Sequence, residues 1–144
     1  MKFPQPMRLK IARILGLCLA FGVGSLAAED IVVIVHPSLP IAELKLADVQ
    51  SYFTGDKKAW PGDLTVKVAT QSKALPAFFE EVLKMKESEF KKLWLRLVLQ
   101  DGAKPPSDFT SDEEVLDYVA KTKGAISYAR KSAVTDKVKT LSIK

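Results

Sequence analysis

The residues whose types and spacing best suit ligand chemistry are Thr70-Gln71-Ser72-Lys73, which stand between a predicted strand and a predicted helix. Free backbone N–H groups and the dipole at a helix start favour negative charge. The hydroxyls of Thr70 and Ser72 and the ammonium of Lys73 add further donors. The loop therefore predicts a site for a small oxyanion. The alternative is that Ser72 caps the helix and Lys73 is a solvated side chain.

His36 and Ser38 are the second candidate pair, because they follow directly after the first predicted strand. Ligands of α/β domains bind beyond the carboxyl ends of the strands, so both residues are candidates for lining a ligand site. A structural role at the strand end is the alternative for His36. It is the one histidine of the chain, so we expect no histidine-rich metal site and no Ser-His-Asp triad. We also expect no cofactor.

The acidic clusters of the chain, Glu80-Glu81 and Asp112-Glu113-Glu114, do not predict catalysis. Adjacent residues on a helix point about 100° apart, so neither cluster presents the facing carboxylate pair that acid–base hydrolysis needs. Solvation and helix capping explain both clusters. With no glycine-rich phosphate loop either, we expect a binding protein and not an enzyme.

Trp60 lies in a charged turn, residues 56–63, and has two interpretations. It either folds back to cap the sheet or is an exposed aromatic contact for a partner protein.

The elements that must position these residues alternate between strands and helices. Ile31–Val35 is a continuous β-branched run, which predicts a strand buried on both faces with parallel neighbours. Residues 64–70 alternate in polarity with the period of a strand, and 125–129 and 138–143 are two further short strands.

Apolar residues recur with helical spacing in four segments. The predicted helices span residues 46–54, ending before Gly55, then 75–83, 90–98 and 113–121, the last preceded by a Ser111 capping box. Strands and helices together predict an α/β domain with a mixed sheet of roughly four or five strands flanked by helices.

The first 27 residues have the organisation of a cleavable secretory signal peptide. Four basic residues precede an apolar core, residues 14–23, and Ser25 and Ala27 have the spacing that favours cleavage after Ala27. The uncharged run 14–28 is shorter than the roughly 20 residues that span a bilayer. We therefore expect one domain, residues 28–144, with no stable membrane span after cleavage and a periplasmic or secreted location.

Removal of the signal peptide changes the charge and the thiol content of the chain. The full sequence has 22 basic and 17 acidic residues, and the first 27 residues hold four of the basic ones and none of the acidic ones. Residues 28–144 thus have a net charge of +1, which does not predict nucleic-acid binding. Leu17 stands where a lipidated cysteine needs a small residue, so we do not expect a lipid at Cys18. Cleavage after Ala27 then removes Cys18 with the signal peptide. The domain then has no disulfide or thiolate chemistry.

Several short motifs resemble, in order and spacing, those of the phosphate-type substrate-binding proteins of ABC transporters, and specifically their short single-lobe relatives. The motifs extend over most of residues 28–144 and comprise Ile34-Val35-His36-Pro37, Tyr52-Phe53-Thr54-Gly55, Trp60-Pro61-Gly62, Phe78-Phe79, Trp94, Gly102 with Pro105-Pro106, and Gly124-Ala125-Ile126-Ser127-Tyr128.

The resemblance implies a lobe of the Venus-flytrap fold, in which two α/β lobes close around an oxyanion held by strand-to-helix loops. The length allows one lobe. Full-length members have an arginine after the strand equivalent to residues 64–70, followed by a Ser-Gly-Thr run. Here Thr70 or Gln71 replaces the arginine, and Lys73-Ala74-Leu75 replaces the run.

Two functions follow from the resemblance. The first is an exported module that binds phosphate or another small oxyanion for ABC-type uptake or sensing, with a permease as partner and a homodimer as the form that buries the ligand. The second is an interaction module that has lost its ligand and contacts an envelope protein through its former cleft face.

Overall fold

The computed structural model describes residues 30–144, so the predicted signal peptide and its cleavage site lie outside the described residues. The described chain forms six strands, four α-helices and one 3-10 turn at Lys131–Ala133. In chain order the elements are β1 Ile31–Val35, β2 Glu43–Leu44, α1 Leu46–Phe53, β3 Lys67–Thr70, α2 Ala77–Glu81, α3 Glu87–Asp101, β4 Ser107–Asp108, α4 Asp112–Lys121, β5 Ala125–Arg130 and β6 Lys139–Ile143.

The strands form one mixed sheet in the order β2-β6-β1-β5-β3-β4. Strand β3 runs parallel to β4 and β5, and β2 runs parallel to β6. The mixed α/β sheet is confirmed, but the prediction of parallel neighbours for β1 is wrong, because β5 and β6 both run antiparallel to it. A strand covered on both faces is apolar throughout whatever the direction of its neighbours, so the residue run did not encode that direction.

Strand β1 is buried on both faces, as predicted. Val33 and Val35 belong to a core beneath α1, α2 and α3, whereas Ile34 belongs to a second core beneath α4. Tyr128 of β5 stacks on Phe78 of α2 in the first core, with ring centroids 3.6 Å apart. Four helices thus cover the two faces of the central strands, and the loops at the strand ends are left at the edges.

Several boundaries differ from the prediction. Strand β3 occupies only the last four residues of the predicted strand, and α2 begins at Ala77 with Pro76 as its first flanking residue. Ser72 therefore does not cap α2, so the helix-cap alternative for this residue is wrong. At α4, the Ser111 hydroxyl accepts a hydrogen bond from the Glu114 N–H at 3.2 Å, as the capping box predicts.

Helix α3 has an apolar side that the other described residues, 30–144, only partly cover. Phe90 is buried, whereas Trp94 is only partly buried against the core. Leu95 and Leu99 are 58% and 76% exposed. Between residues 30 and 144, no helix combines the length and the apolar content that a membrane span requires.

Candidate functional site

The predicted oxyanion loop lies at the carboxyl end of β3, beside the edge strand β4. Because β3 and β4 are parallel, their ends coincide, and Thr70 is paired in register with Asp108. The Phe109 N–H donates to the Thr70 carbonyl oxygen at 2.8 Å and holds this register beyond the strand end. Strand pairing therefore places a carboxylate directly beside the loop.

The Asp108 carboxylate accepts the hydrogen bonds of the loop. The Thr70 hydroxyl donates to its Oδ1 at 2.8 Å, and the Ser72 N–H donates to the same oxygen at 3.2 Å. The Ser72 hydroxyl lies 3.1 Å from Oδ2. Thr70 and Ser72 are each 4% exposed, whereas Asp108 is exposed above them. Two hydroxyls and a backbone N–H converge on one negative group, which is the arrangement that binds an oxyanion, and here that group is the chain's own carboxylate.

Gln71 points into the protein and not toward a ligand. It is fully buried, and its Nε2 donates to the Tyr128 carbonyl oxygen at 2.7 Å and to Asp112 Oδ1 at 2.9 Å. Its backbone N–H donates to the Tyr128 hydroxyl at 3.1 Å. Burial raises the pKa of Tyr128, so this phenol stays protonated at neutral pH. Gln71 therefore anchors the loop to the core.

Asp112 and Arg130 form a partly buried ion pair behind the loop. Arg130 Nη1 donates to Asp112 Oδ2 at 2.6 Å, and Nη2 donates to the Ala74 carbonyl oxygen at 3.1 Å. Burial alone would raise the pKa of Asp112, but the hydrogen bonds from Arg130 and Gln71 outweigh it and hold this pKa below its usual value. The guanidinium thus holds the loop in place through Ala74.

Lys73 is the exposed member of the 70–73 loop. The structure thus brings Thr70 and Ser72 together at Asp108, turns Gln71 inward and leaves Lys73 exposed.

His36 and Ser38 are not part of this surface. Because β1 is antiparallel to β5 while β3 is parallel to it, the end of β1 and the end of β3 lie at opposite edges of the sheet. The His36 N–H donates to the carbonyl oxygen of Ala125, the first residue of β5. The His36 ring contacts Ser38 instead, with Nδ1 2.7 Å from the hydroxyl oxygen. His36 and Ser38 therefore do not share a surface with the loop, and a ligand site at these two residues stays a prediction.

Trp60 is buried at 2% exposure, so the prediction that it contacts a partner is wrong. Its Nε1 donates to the Gly124 carbonyl oxygen at 2.9 Å, and its ring centroid lies 4.2 Å from that of Tyr52. Trp60 instead folds back onto the sheet, which is the other of its two interpretations. The turn before β3 folds back because the indole finds both an apolar neighbour and an acceptor there.

A concavity of about 400 Å³ lies next to the loop. We call the surface around it the cleft face; its lining residues used below are Thr70, Ser72, Leu95, Pro105, Pro106 and Asp108. Within residues 30–144, no three His, Cys, Asp or Glu side chains are grouped so that they could hold a metal ion.

Asp108 and Arg130 are the residues of this site that the sequence did not single out. Asp108 follows a Pro-Pro turn and precedes a helix cap, a context typical of a solvated loop. Arg130 is separated from Ala74 by more than 50 residues, so only the strand order brings them together. The signal that would find them is the pairing of β3 with β4 for Asp108 and with β5 for Arg130, which local periodicity does not provide.

No protein-family model matches the chain, and no curated protein matches it by sequence. Solved structures match by fold. A phosphate ABC transporter substrate-binding protein of Clostridium perfringens, solved with bound phosphate, superposes with a TM-score of 0.64 at 19% identity over 78% of this chain and 44% of that chain.

Two further structures agree. An ABC-type phosphate transport receptor of Vibrio cholerae gives a TM-score of 0.54 at 13% identity over 78% of this chain and 45% of that one, and PstS of Borrelia burgdorferi gives 0.53 at 14% over 79% and 47%. The chain therefore spans less than half the length of these proteins. The resemblance predicted from the sequence is confirmed at the level of the fold, which is that of a single lobe.

Proposed function

We propose that this chain is an exported, single-lobe, solute-binding-like module that works in the cell envelope by contacting a protein partner and not by holding a free phosphate. The observation that carries the proposal is the position of Asp108. Its carboxylate receives the hydroxyl hydrogen bonds of Thr70 and Ser72 and the Ser72 N–H. The carboxylate of the chain itself thus accepts the hydrogen bonds that an anionic ligand would otherwise accept.

Electrostatics favours the same conclusion. A phosphate that approached the loop would meet the negative charge of Asp108 and would have to displace it from three donors. Hydrogen bonds to a charged group are worth roughly 1.5–3 kcal/mol each, so displacement is costly. Two exposed cations lie near the loop: Lys73, which belongs to it, and Lys91, which lines the same concavity and is paired with Glu87. Both offer point charges in high dielectric, so they return little of that free energy to a bound phosphate.

The cleft face is the surface that we assign to the partner. Leu95 projects from α3 beside Pro105 and Pro106, and Leu99 continues the apolar row one turn further. An exposed apolar row next to a polar rim is typical of a protein contact. The fold neighbours are named as parts of ABC transporters, so a permease of this class is the first partner to test.

The test of the proposal pairs a binding assay with a capture assay. We expect calorimetry of the purified protein with phosphate to give no heat up to millimolar ligand. In envelope extracts, the wild type should capture a permease or another defined envelope protein that Leu95→Lys/Leu99→Lys does not capture. Because both leucines are exposed, the double variant should keep the wild-type unfolding temperature. Phosphate binding by the wild type, or equal capture by both proteins, would overturn the proposal.

A second candidate function is oxyanion binding at the same loop, and the bound phosphate in the Clostridium perfringens neighbour favours it. Thr70, Ser72 and Lys73 would then hold the anion after Asp108 has swung away. Asp108→Ala separates the two functions. If the internal carboxylate is what excludes the anion, this variant should bind phosphate or sulfate more tightly than the wild type does. If the wild type binds and Asp108→Ala does not, the carboxylate is part of a working site.

The exported location and the assembly state complete the proposal. We expect mass spectrometry of protein from the periplasmic fraction to show an N-terminus at Ala28. For the oxyanion candidate, two lobes pairing their cleft faces would enclose the ligand. Phosphate-dependent dimerisation in light scattering would support that arrangement, and a monomer at high concentration with phosphate present would count against it.

A further inference from the structure

We propose that the chain has a second ligand site, separate from the oxyanion loop, for an organic anion with an apolar body. The site is a cavity of about 540 Å³ between the ends of α1 and α3 and the segment that enters β3. We call it the lysine-rimmed cavity. Ligand sites in proteins are typically concave, roughly 300–1,000 Å³ in volume and mainly apolar, with a few charged groups that orient the ligand.

The floor of the lysine-rimmed cavity is apolar and well fixed. Tyr52, Val68, Trp94 and Leu97 line it. The Trp94 Nε1 donates to the Phe53 carbonyl oxygen at 2.9 Å, which sets the orientation of the indole. An aromatic and aliphatic floor of this kind binds the apolar part of a ligand and offers little to an inorganic ion.

One end of the lysine-rimmed cavity is closed by the contact of α1 with α3. Gly55 has a φ of +81°, and a Cβ atom at this position would lie 2.9 Å from Leu97 Cδ1 and 3.4 Å from the Trp94 ring. The glycine therefore lets the two helices meet. The cavity is thus a built feature of the packing between two helices and the sheet edge.

The rim of the cavity is cationic. It contains four lysines and one carboxylate, Asp101. Lys57 is paired with Asp48 at 2.5 Å. The other three lysines, Lys58, Lys67 and Lys104, form no ion pair with any carboxylate of residues 30–144. Since residues 28–144 are nearly neutral overall, this group of cations is a local feature, and it predicts an anionic group on the ligand.

The combination selects one chemical class. The apolar floor excludes small inorganic anions, and the lysine rim disfavours neutral lipids and cations, which leaves an aromatic or alkyl carboxylate or sulfonate. No residue of the 70–73 loop lines this cavity. The inference is therefore independent of whether the loop binds phosphate. The cavity adjoins the cleft face, because Trp94 and Pro105 line both concavities.

The probe we choose is 8-anilinonaphthalene-1-sulfonate, an aromatic sulfonate whose fluorescence rises in apolar sites. We expect the purified protein to bind it with a Kd on the order of 10–100 μM, the range set by about 0.3 kcal/mol per heavy atom. Trp94 lines the site, so energy transfer from tryptophan should accompany binding. Lys58→Glu/Lys104→Glu should weaken binding at least tenfold, because both side chains lie on the rim and the Lys58 backbone bond to Val66 is untouched.

The matched control is Lys137→Glu, an exposed lysine outside the cavity, which should change the Kd less than twofold. A variant that fills the cavity without a charge change, Ala103→Phe, should also abolish binding. Equal affinity in the rim variant and the control, or absence of binding to the wild type, would overturn the proposal.

Competition identifies the ligand class. Dodecanoate should displace the probe, and dodecanol at the same concentration should not, because it lacks the anionic group. Displacement by both to the same extent would show that the lysines are irrelevant and would refute the proposal. Displacement by an acidic peptide but not by dodecanoate would assign the cavity to a protein segment and overturn the small-anion inference.

Discussion

The two ends of strand β3 differ in whether their hydrogen-bond donors and charged groups have partners within the described chain. At its carboxyl end the donors of Thr70, Gln71 and Ser72 are all engaged by side chains or backbone of the chain itself. Beside its amino end, Lys58 and Lys67 stand at an apolar cavity with no carboxylate partner among the described residues. The buried side-chain polar atom without a partner in residues 30–144 is Gln71 Oε1, an acceptor, which offers nothing to an anion. The donors that an anion needs are therefore engaged at the carboxyl end, whereas lysine ammonium groups remain without a carboxylate at the amino end.

The loops at the two ends of β3 are also held in place by different interactions. The carboxyl end is held by carboxylates, Asp108 on the surface and Asp112 behind it, whereas the amino end is held by close backbone packing at Gly124. Its carbonyl oxygen accepts from both Trp60 Nε1 and the Lys67 N–H. We therefore expect added side-chain volume to destabilise the fold at the amino end, and loss of a charge to destabilise it at the carboxyl end.

The largest effect should come from Gly124→Ala. Gly124 has a φ of +84°, and a Cβ atom there would lie 2.2 Å from the Thr65 carbonyl oxygen, so the backbone at β3 must move. We expect a loss of about 3 kcal/mol or more in the free energy of unfolding, measured by urea denaturation. Gly62→Ala is the control, because Gly62 also has a positive φ, +93°, but has no atom within 4 Å.

The Gly62→Ala control should lose about 1 kcal/mol in the free energy of unfolding, because alanine there has only the cost of a left-handed backbone conformation. If the two variants lost the same free energy, the close approach at Gly124 would not be what holds this end.

The next largest effect should come from Asp112→Ala at the opposite end. The substitution leaves the Arg130 guanidinium and the buried Gln71 amide without their shared acceptor. Removing one partner of a buried charge pair costs about 3 kcal/mol or more, and this pair is partly exposed, so we expect about 2 kcal/mol. Asp112→Asn should lose less, because an amide oxygen still accepts. Equal losses for both variants would contradict this expectation, because they would show that a neutral acceptor contributes nothing and that the charge carries the whole effect.

The elements of this fold were predictable from local patterns, and the relations between them were not. The β-branched run of Ile31–Val35 and the helical spacing of α1 and α4 identify elements because burial acts on each residue by its position. The direction of β1 relative to β5 depends on connections far along the chain. That direction alone places His36 at the end of the sheet opposite to the 70–73 loop.

The candidate site was half predictable for the same reason. Thr70 and Ser72 come together, with Lys73 exposed next to them in the chain, because all three belong to one short loop at a strand end. Asp108 reaches them through the pairing of a two-residue strand, which has no detectable period. The sequence could indicate a loop with donors, but only the strand register reveals the carboxylate that already occupies it.

A smaller effect is expected on the pH dependence of stability. Because the folded pKa of Asp112 is lowered from its ordinary value of 3.8, the ionised pair stabilises the fold fully above that value and is lost as pH falls through the folded pKa. The difference in unfolding free energy between wild type and Asp112→Asn should therefore be constant at pH 5–7 and shrink below about pH 4. A difference that stays constant down to pH 2 would contradict the assignment.

The smallest effect should come from the ion pair at the amino end, Lys57 with Asp48. Its 2.5 Å contact is as short as the Arg130–Asp112 pair, and the hydrogen bond to Asp48 raises the pKa of Lys57. The pair is nevertheless exposed, and exposed pairs lose their Coulomb energy to solvent and to side-chain entropy. We expect Lys57→Ala to leave the unfolding temperature unchanged within error, while Asp112→Ala lowers it. If Lys57→Ala proved as destabilising as Asp112→Ala, burial would not be what distinguishes the two ends of β3.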